Sequence, residues 1–402
     1  MFNLETPKRL KPLIHQANQI GAEMFRPISR KYDRLEHTAP VELEMLASLM
    51  DGMNSSGGEG AGAGKLKQDS GGEDAGVRNG SNMAAVLGMI ELCWGDVGLA
   101  LSIPRQGLGN AAIAAVANEE QLERFGGRWV AMAITEPSAG SDSAAIRATA
   151  ERDGDDYVLN GEKIYVTAGE RADALVVWAS VDRSKGRAAI KAFLVEKDRP
   201  GLTLERLEHK LGIRASDTAA FRLENCRVPA ENLLGSPEVD TSKGFAGVMQ
   251  TFDNTRPIVA AMAIGLARAA IEETQRILGE AGVDLDYRRP RTHGHAAAAK
   301  LMECEADWEA AKLLTLRAAW MADNGQPNAL EASMCKAKAG RTAVDTALAC
   351  VELCGAAGYG ETELLEKWAR DAKILDIFEG TQQIQLLIVA RRLLGKSSAE
   401  LK

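Results

Sequence analysis

Near the end of the chain, AKILDIFEGTQQIQLLIVARRLL sets two apolar, helix-like runs on either side of a break at Glu379-Gly380-Thr381. A carboxylate costs free energy when it leaves water, so it normally stays at the surface or is paired. By itself the pattern therefore suits a solvent-facing helix end; held away from water, the same group is a candidate for proton transfer. Three other segments carry residues of similar interest. MAITEPSAGSDSAAI runs from a strand into Pro137, Ser138, Ala139, Gly140 and Ser141, whose small side chains let backbone N–H groups approach an anion or a ring system. The same residues also make an ordinary turn. In NGEKIYVTAG, Tyr165 and Thr167 put an aromatic beside a hydroxyl, which can flank a planar cofactor and equally suits a plain sheet. In TFDNTRPIV, Asp253 or Thr255 can cap a helix whose first turn holds Pro257.

The 402 residues allow two or three domains or one large unit of several layers, and 46% apolar content is ample for a core. No run approaches 18 uncharged apolar residues, so no membrane span is expected. The N-terminal segment has no signal-peptide apolar run and carries Glu5 and Glu23, which points to a soluble, cytoplasmic protein. Six cysteines lie scattered without ligand spacing and read as reduced core residues, not staples or a metal site. A net charge of −8 without a basic stripe makes nucleic acid a poor partner.

The positioning elements follow from periodicity. Residues 1–127 read as a helical domain, with apolar positions such as Leu10, Leu13, Ile14 and Ala17 three and four apart. A Gly/Ser/Asp-rich loop at 51–82 interrupts it. Residues 128–238 hold short runs rich in Val, Ile and aromatics and form a central β domain. Within it, Asn160-Gly161 reads as a hairpin turn. Residues 239–402 return to helix, with Ala-rich segments suited to close antiparallel packing in a four-helix bundle. The fold class is α+β and mostly α.

In this order and spacing, MAITEPSAGSD, NGEKIYVTAG, GIRASDTAAFRLENCRVPAENLLG, TFDNTRPIVAAMAIGLA and EKWARDAKILDIFEGTQQIQ resemble the acyl-CoA dehydrogenase family across residues 83–395. The resemblance implies the same helical, β, bundle layout, a non-covalent FAD between β domain and bundle, no metal and a tetramer. It implies α,β-dehydrogenation of an acyl-CoA thioester to the trans-2-enoyl-CoA in fatty-acid β-oxidation, with electrons passed to an electron-transfer flavoprotein. An acyl-CoA oxidase-like enzyme, or a structural subunit of a mixed tetramer, are the alternatives.

Site roles carry over residue by residue. Ile134, Thr135 and Ser141 match flavin-contacting positions, Ser141 also lying near the thioester. Tyr165 stands where the family usually has Trp beside the ring, and Thr167 matches the hydroxyl near N5. Thr381 and Gln383 match further FAD contacts, while Phe252, Asp253 and Arg256 match the path of the CoA arm. Glu379 matches the catalytic base, and an apolar pocket would raise its pKa towards usefulness near neutral pH. A backbone N–H at the break, aimed by Gly380, would polarise the thioester carbonyl. Some relatives take their base from the TFDNTRP helix, where this chain has Thr255, which cannot serve. The cross-subunit FAD contacts depart from the pattern. The segment DYRRPRTHGH is short, leaving Arg288, Arg289 or Arg291 to meet the diphosphate and His295 in place of a glutamine, and Glu352 stands in place of an amide. Three clustered arginines favour a homotetramer, with a mixed tetramer as the alternative.

Overall fold

The computed structural model of the chain describes residues 6–47, 79–104, 108–240, 246–288, 292–397 and 400, and side chains throughout these except at 246–254. The stretch 51–78 of the expected Gly-rich loop lies outside the described residues; Ser81 and Asn82 already open a helix. Helix α1 (Lys11–Gln19) continues through a π-helical turn, Ile20–Phe25, into α2 (Arg26–Arg34). After α3 (Ser81–Gly95), α4 (Val97–Ala100), α5 (Leu108–Val116) and α6 (Glu119–Phe125), the chain becomes extended.

Strands β1 (Val130–Ala133), β2 (Thr149–Asp153), β3 (Asp156–Thr167), β4 (Ala174–Ser180), β5 (Ile190–Glu196), β6 (Leu202–Leu207), β7 (Thr218–Pro229) and β8 (Leu233–Leu234) form one sheet. Its order is β6-β7-β3-β2-β4-β5-β8, with β1 paired parallel to β4. The long pair β3–β7 is antiparallel and carries Tyr165 and Thr167. Helices α7 (Ala246–Glu280), α8 (Ala296–Asp323), α9 (Ala329–Tyr359), α10 (Leu365–Leu375) and α11 (Gln382–Leu394) complete the chain.

Two local readings are corrected. Asn160-Gly161 is not a hairpin turn: β3 runs through it, with a register shift between Leu159 and Gly161. Gly161 has φ +144°, and a Cβ there would lie 2.8 Å from Ala148, so glycine serves a bulge and a close crossing. The hairpin closes earlier, where Asp153 pairs with Asp156 around Gly154 at φ +64°. Nor does a helix begin beside Pro257. Helix α7 starts at Ala246 and carries Pro257 in its interior. An interior proline costs about 3 kcal/mol. Burial of Val259, Ile264, Leu266 and Ile271 against α3 and the other bundle helices offsets it.

One apolar core joins the N-terminal helices to the bundle through Phe25, Val86, Ile90, Leu266, Leu301 and Trp368. Two more line the sheet, one around Leu159, Phe193 and Phe221, the other between the sheet and α5 and α6 around Ile113, Phe125 and Leu194. A buried ionic cluster fixes the three parts to one another. Lys367 pairs with Asp96, and with Asp371 at 2.7 Å. Asp96 accepts Ser29 Oγ and Leu99 N–H, and Asp371 accepts Ile213 N–H at 2.5 Å from the β-domain loop. Every charge in it is paired, as burial demands.

Candidate active site

The break between α10 and α11 is built as a strained, clamped turn. Glu379 has φ +56°, a conformation that L residues adopt at a cost of about 1–3 kcal/mol and keep only where the surroundings enforce it. Gly380 follows at φ +90°, and a Cβ there would meet Gln385 Nε2 at 2.4 Å. Gln385 lies fully buried on α11, and its Nε2 donates to the carbonyls of Glu379 at 2.9 Å and Gly380 at 3.3 Å. Lys336, fully buried on α9, donates from Nζ to the Gly380 carbonyl at 2.6 Å. Thr381 caps α11, its Oγ1 accepting Ile384 N–H at 3.4 Å.

This turn presents the Glu379 carboxylate to α7, where Thr255 Oγ1 donates to Oε2 at 2.7 Å. Glu379 is half-buried overall, but protein surrounds its carboxyl, and burial pushes the pKa above the ordinary carboxylate value. The Thr255 hydroxyl and the charges of Arg256 and Lys336 pull the other way and are outweighed. The arrangement is a carboxylate held ready to take a proton, with a hydroxyl donor steadying its ionised form.

Arg256, expected on the CoA path, is 3% exposed and points into the bundle, Nη1 3.5 Å from Ser333 Oγ. The side chains of Phe252 and Asp253 lie outside the described residues. Sequence reasoning set Thr255 aside as unable to act and missed Lys336 and Gln385.

A second group gathers on the sheet. Ile134 is buried at the end of β1, and Ile164 N–H donates to the Thr135 carbonyl at 2.9 Å, so the Thr135–Ser141 loop starts against β3 beside Tyr165. Beneath it Lys163, fully buried, donates to Glu136 Oε1 at 2.7 Å and to the Ile134 carbonyl at 3.2 Å. Glu136 also takes the N–H groups of Arg147 and Ala148, at 2.6 and 2.9 Å. These charges are spent holding the loop. Above, Thr135 and Thr167 are half-buried and Ser141 is exposed. Tyr165 combines φ +56° with 62% exposure, an unusual posture for a large aromatic on a strand.

The remaining expected contacts are dispersed. Gln383 is exposed. His295 is the N-cap of α8, its Nδ1 accepting Ala297 N–H at 3.1 Å. Arg288 pairs with Asp286 at 2.8 Å, Glu352 is exposed, and Arg289 and Arg291 lie outside the described residues. Among the described residues one trio offers metal-ligand atoms, Glu36, His37 and His209. Its carboxylate already takes Arg214 Nη2 at 3.1 Å and Lys210 N–H at 2.9 Å, so a cation already meets the charge that a metal would need.

Comparison with known proteins agrees with this architecture. The family model for the acyl-CoA dehydrogenase middle domain matches residues 131–226, and that for the C-terminal domain matches 242–394. The mouse (Mus musculus) mitochondrial short-chain specific acyl-CoA dehydrogenase is 40% identical over 262 residues, 65% of this chain and 62% of that protein. The match thus spans less than two thirds of that relative's length. A short-chain specific acyl-CoA dehydrogenase of Clostridium acetobutylicum is 34% identical, with 78% of this chain and 82% of that protein covered. The solved butyryl-CoA dehydrogenase of Megasphaera elsdenii superposes with a TM-score of 0.81 at 29% identity, covering 98% of this chain and all of its own. This chain belongs to the acyl-CoA dehydrogenase family.

Proposed function

We propose that the protein removes two hydrogens from the α and β carbons of an acyl-CoA thioester, with Glu379 as the base. The observation that carries this is the Glu379 carboxyl, held by a left-handed turn, raised in pKa by burial and hydrogen-bonded by Thr255. The α C–H bond breaks, its proton goes to a Glu379 carboxylate oxygen, and the electron pair forms the double bond as the β hydrogen departs. FAD, when bound, supplies the two-electron acceptor for that departing hydride.

The chain's residues fit such a group. The hydroxyls of Thr135, Ser141, Thr167 and Thr381 offer donors and acceptors to its ring, ribityl chain and diphosphate. The strained, exposed Tyr165 offers a ring face, and Gln382 has a buried Oε1 with no hydrogen-bond partner. The buried Ile134 would give the group an apolar contact, and the exposed amide of Gln383 a further donor. Gly380 lets a backbone donor at the turn face the thioester carbonyl, and Arg256 supplies positive charge behind it.

The names of the relatives make a short acyl chain the first substrate to test, and an electron-transfer flavoprotein the first acceptor. The exposed Leu386, Leu387, Leu393 and Leu394 of α11 support self-association, read here as a homotetramer. No helix among the described residues is long and apolar enough to cross a membrane, and all six cysteines are free, which supports a reducing, cytoplasmic setting.

The test is Glu379→Gln, which keeps shape and removes basicity. Anaerobic reduction of bound FAD by its best acyl-CoA should slow by at least about 10²-fold, the lower range for general-base catalysis. A variant that bleaches at the wild-type rate would move the base elsewhere.

A further inference from the structure

A fully buried lysine stands against the active turn, and the reaction does not require it as an acid or base. Lys336 projects from α9, is 0% exposed, and spends its ammonium on one backbone carbonyl, that of Gly380, at 2.6 Å. Burying a cation for a single carbonyl bond costs several kcal/mol unless opposite charge is near. The charged groups acting on it are Asp376 and Glu379, from the segment joining α10 to α11, and Arg256 from α7. Asp376 is otherwise engaged with Arg341 at 3.2 Å and Lys373 at 3.0 Å. The strained pair Glu379–Gly380 thus has its two carbonyls held from two sides, by Lys336 and by Gln385.

We propose that Lys336 is a positioning residue for the base: its ammonium clamps the Gly380 carbonyl, holds Glu379 in its left-handed conformation, and keeps a positive charge near the carboxylate so that it ionises at working pH. The assignment rests on Glu379 being the base. Two parts are separable, the hydrogen bond that fixes the turn and the charge that favours the ionised carboxylate. Burial lowers the lysine pKa to about 8, so the ammonium is largely present at neutral pH and lost in alkali.

The experiment compares Lys336→Met and Lys336→Gln in the full-length, FAD-loaded protein, following kcat/KM for flavin reduction against pH. Loss of a nearby cation disfavours the carboxylate, so the acidic limb should move to higher pH by about one unit in both variants. The plateau should fall about tenfold in Lys336→Met and partly recover in Lys336→Gln, whose amide can still donate to the Gly380 carbonyl. Cofactor-free protein supplies a second readout: the infrared band of the protonated carboxyl, identified by its loss in Glu379→Gln, should persist to higher pH in both variants. If Lys336→Met does not accumulate as folded protein, Lys336→Gln alone decides. An acidic limb and band that coincide with wild type overturn the proposal while leaving Glu379 as the base. A fully active Glu379→Gln overturns the reading on which it rests.

Discussion

Thr255 is the sharpest test of how the base is tuned. Its hydroxyl donates to Glu379 Oε2 at 2.7 Å from a half-buried position, and it opposes the burial that raises the carboxyl pKa. A hydrogen bond to a charged acceptor contributes about 1.5–3 kcal/mol. Partial access to solvent argues for the lower end, and about 1.4 kcal/mol corresponds to one pKa unit. Thr255→Val, nearly isosteric, should therefore raise the Glu379 pKa by about one unit. At a pH below both acidic limbs, kcat/KM for anaerobic flavin reduction should fall about tenfold, with little change on the plateau. Thr255→Ser should stay close to wild type. Stability gives an independent check. A carboxyl whose folded pKa is raised is still protonated when the unfolded chain, at about 4.3, has released its proton. Folding then loses stability as pH rises through that window, and keeps the loss above it. Thr255→Val raises the folded pKa further, so its deficit should be largest at neutral pH and shrink below pH ~4. If the Thr255→Val limb overlays wild type while Glu379→Gln is inactive, the bond does not tune the base.

Two further predictions concern the frame around the chemistry. Lys163→Met leaves the buried Glu136 carboxylate with only backbone donors, so thermal unfolding should show a loss of about 3–5 kcal/mol. FAD affinity by equilibrium dialysis should weaken with it, because Lys163 also holds the Ile134 carbonyl; unchanged FAD affinity would separate that pair from the loop's function. Gly380→Ala forces a side chain into φ +90° and displaces Gln385 Nε2. A loss of about 1–3 kcal/mol and slower flavin reduction are expected, and a stable, fully active variant would show that the turn tolerates slack.

The helical, β, helical order was legible because its signals are periodic and long. Apolar residues three and four apart announced the N-terminal helices, long Ala-rich segments announced the bundle, and short Val/Ile-rich runs announced the sheet. The misreadings arose where tertiary contact overrode a local rule. Asn160-Gly161 is a strong turn dipeptide in isolation, but the backbone of Ala148 crosses close to Gly161, and β7 pairs on both sides of the bulge. Pro257 is a natural helix starter, yet α7 gains more by burying Val259, Ile264, Leu266 and Ile271 beyond the proline than it loses at one missing N–H.

At the site, the reach of sequence ended one layer below the glutamate. Glu379 stood out because charge interrupts an apolar run, and Gly380 because glycine beside it suggests a turn. Lys336 left a comparable trace. In EASMCKAKAGRTAVDTALA, Ala332, Lys336, Ala339, Ala343 and Ala347 share a helical face, and all are at most 1% exposed. A lysine on a stripe of alanines is a buried cation awaiting an acceptor, although its partner 44 residues later cannot be read from periodicity. Gln385 left less, since an amide on an amphipathic helix is ordinary until its face is known to be inward. What distinguishes the two is the acceptor they share. A carbonyl in a left-handed turn points away from any helix ladder, so it must be met by side chains from elsewhere in the fold. A catalytic glutamate placed by such a turn therefore needs buried donors behind it, and the amide of Gln385 and the ammonium of Lys336 are those donors.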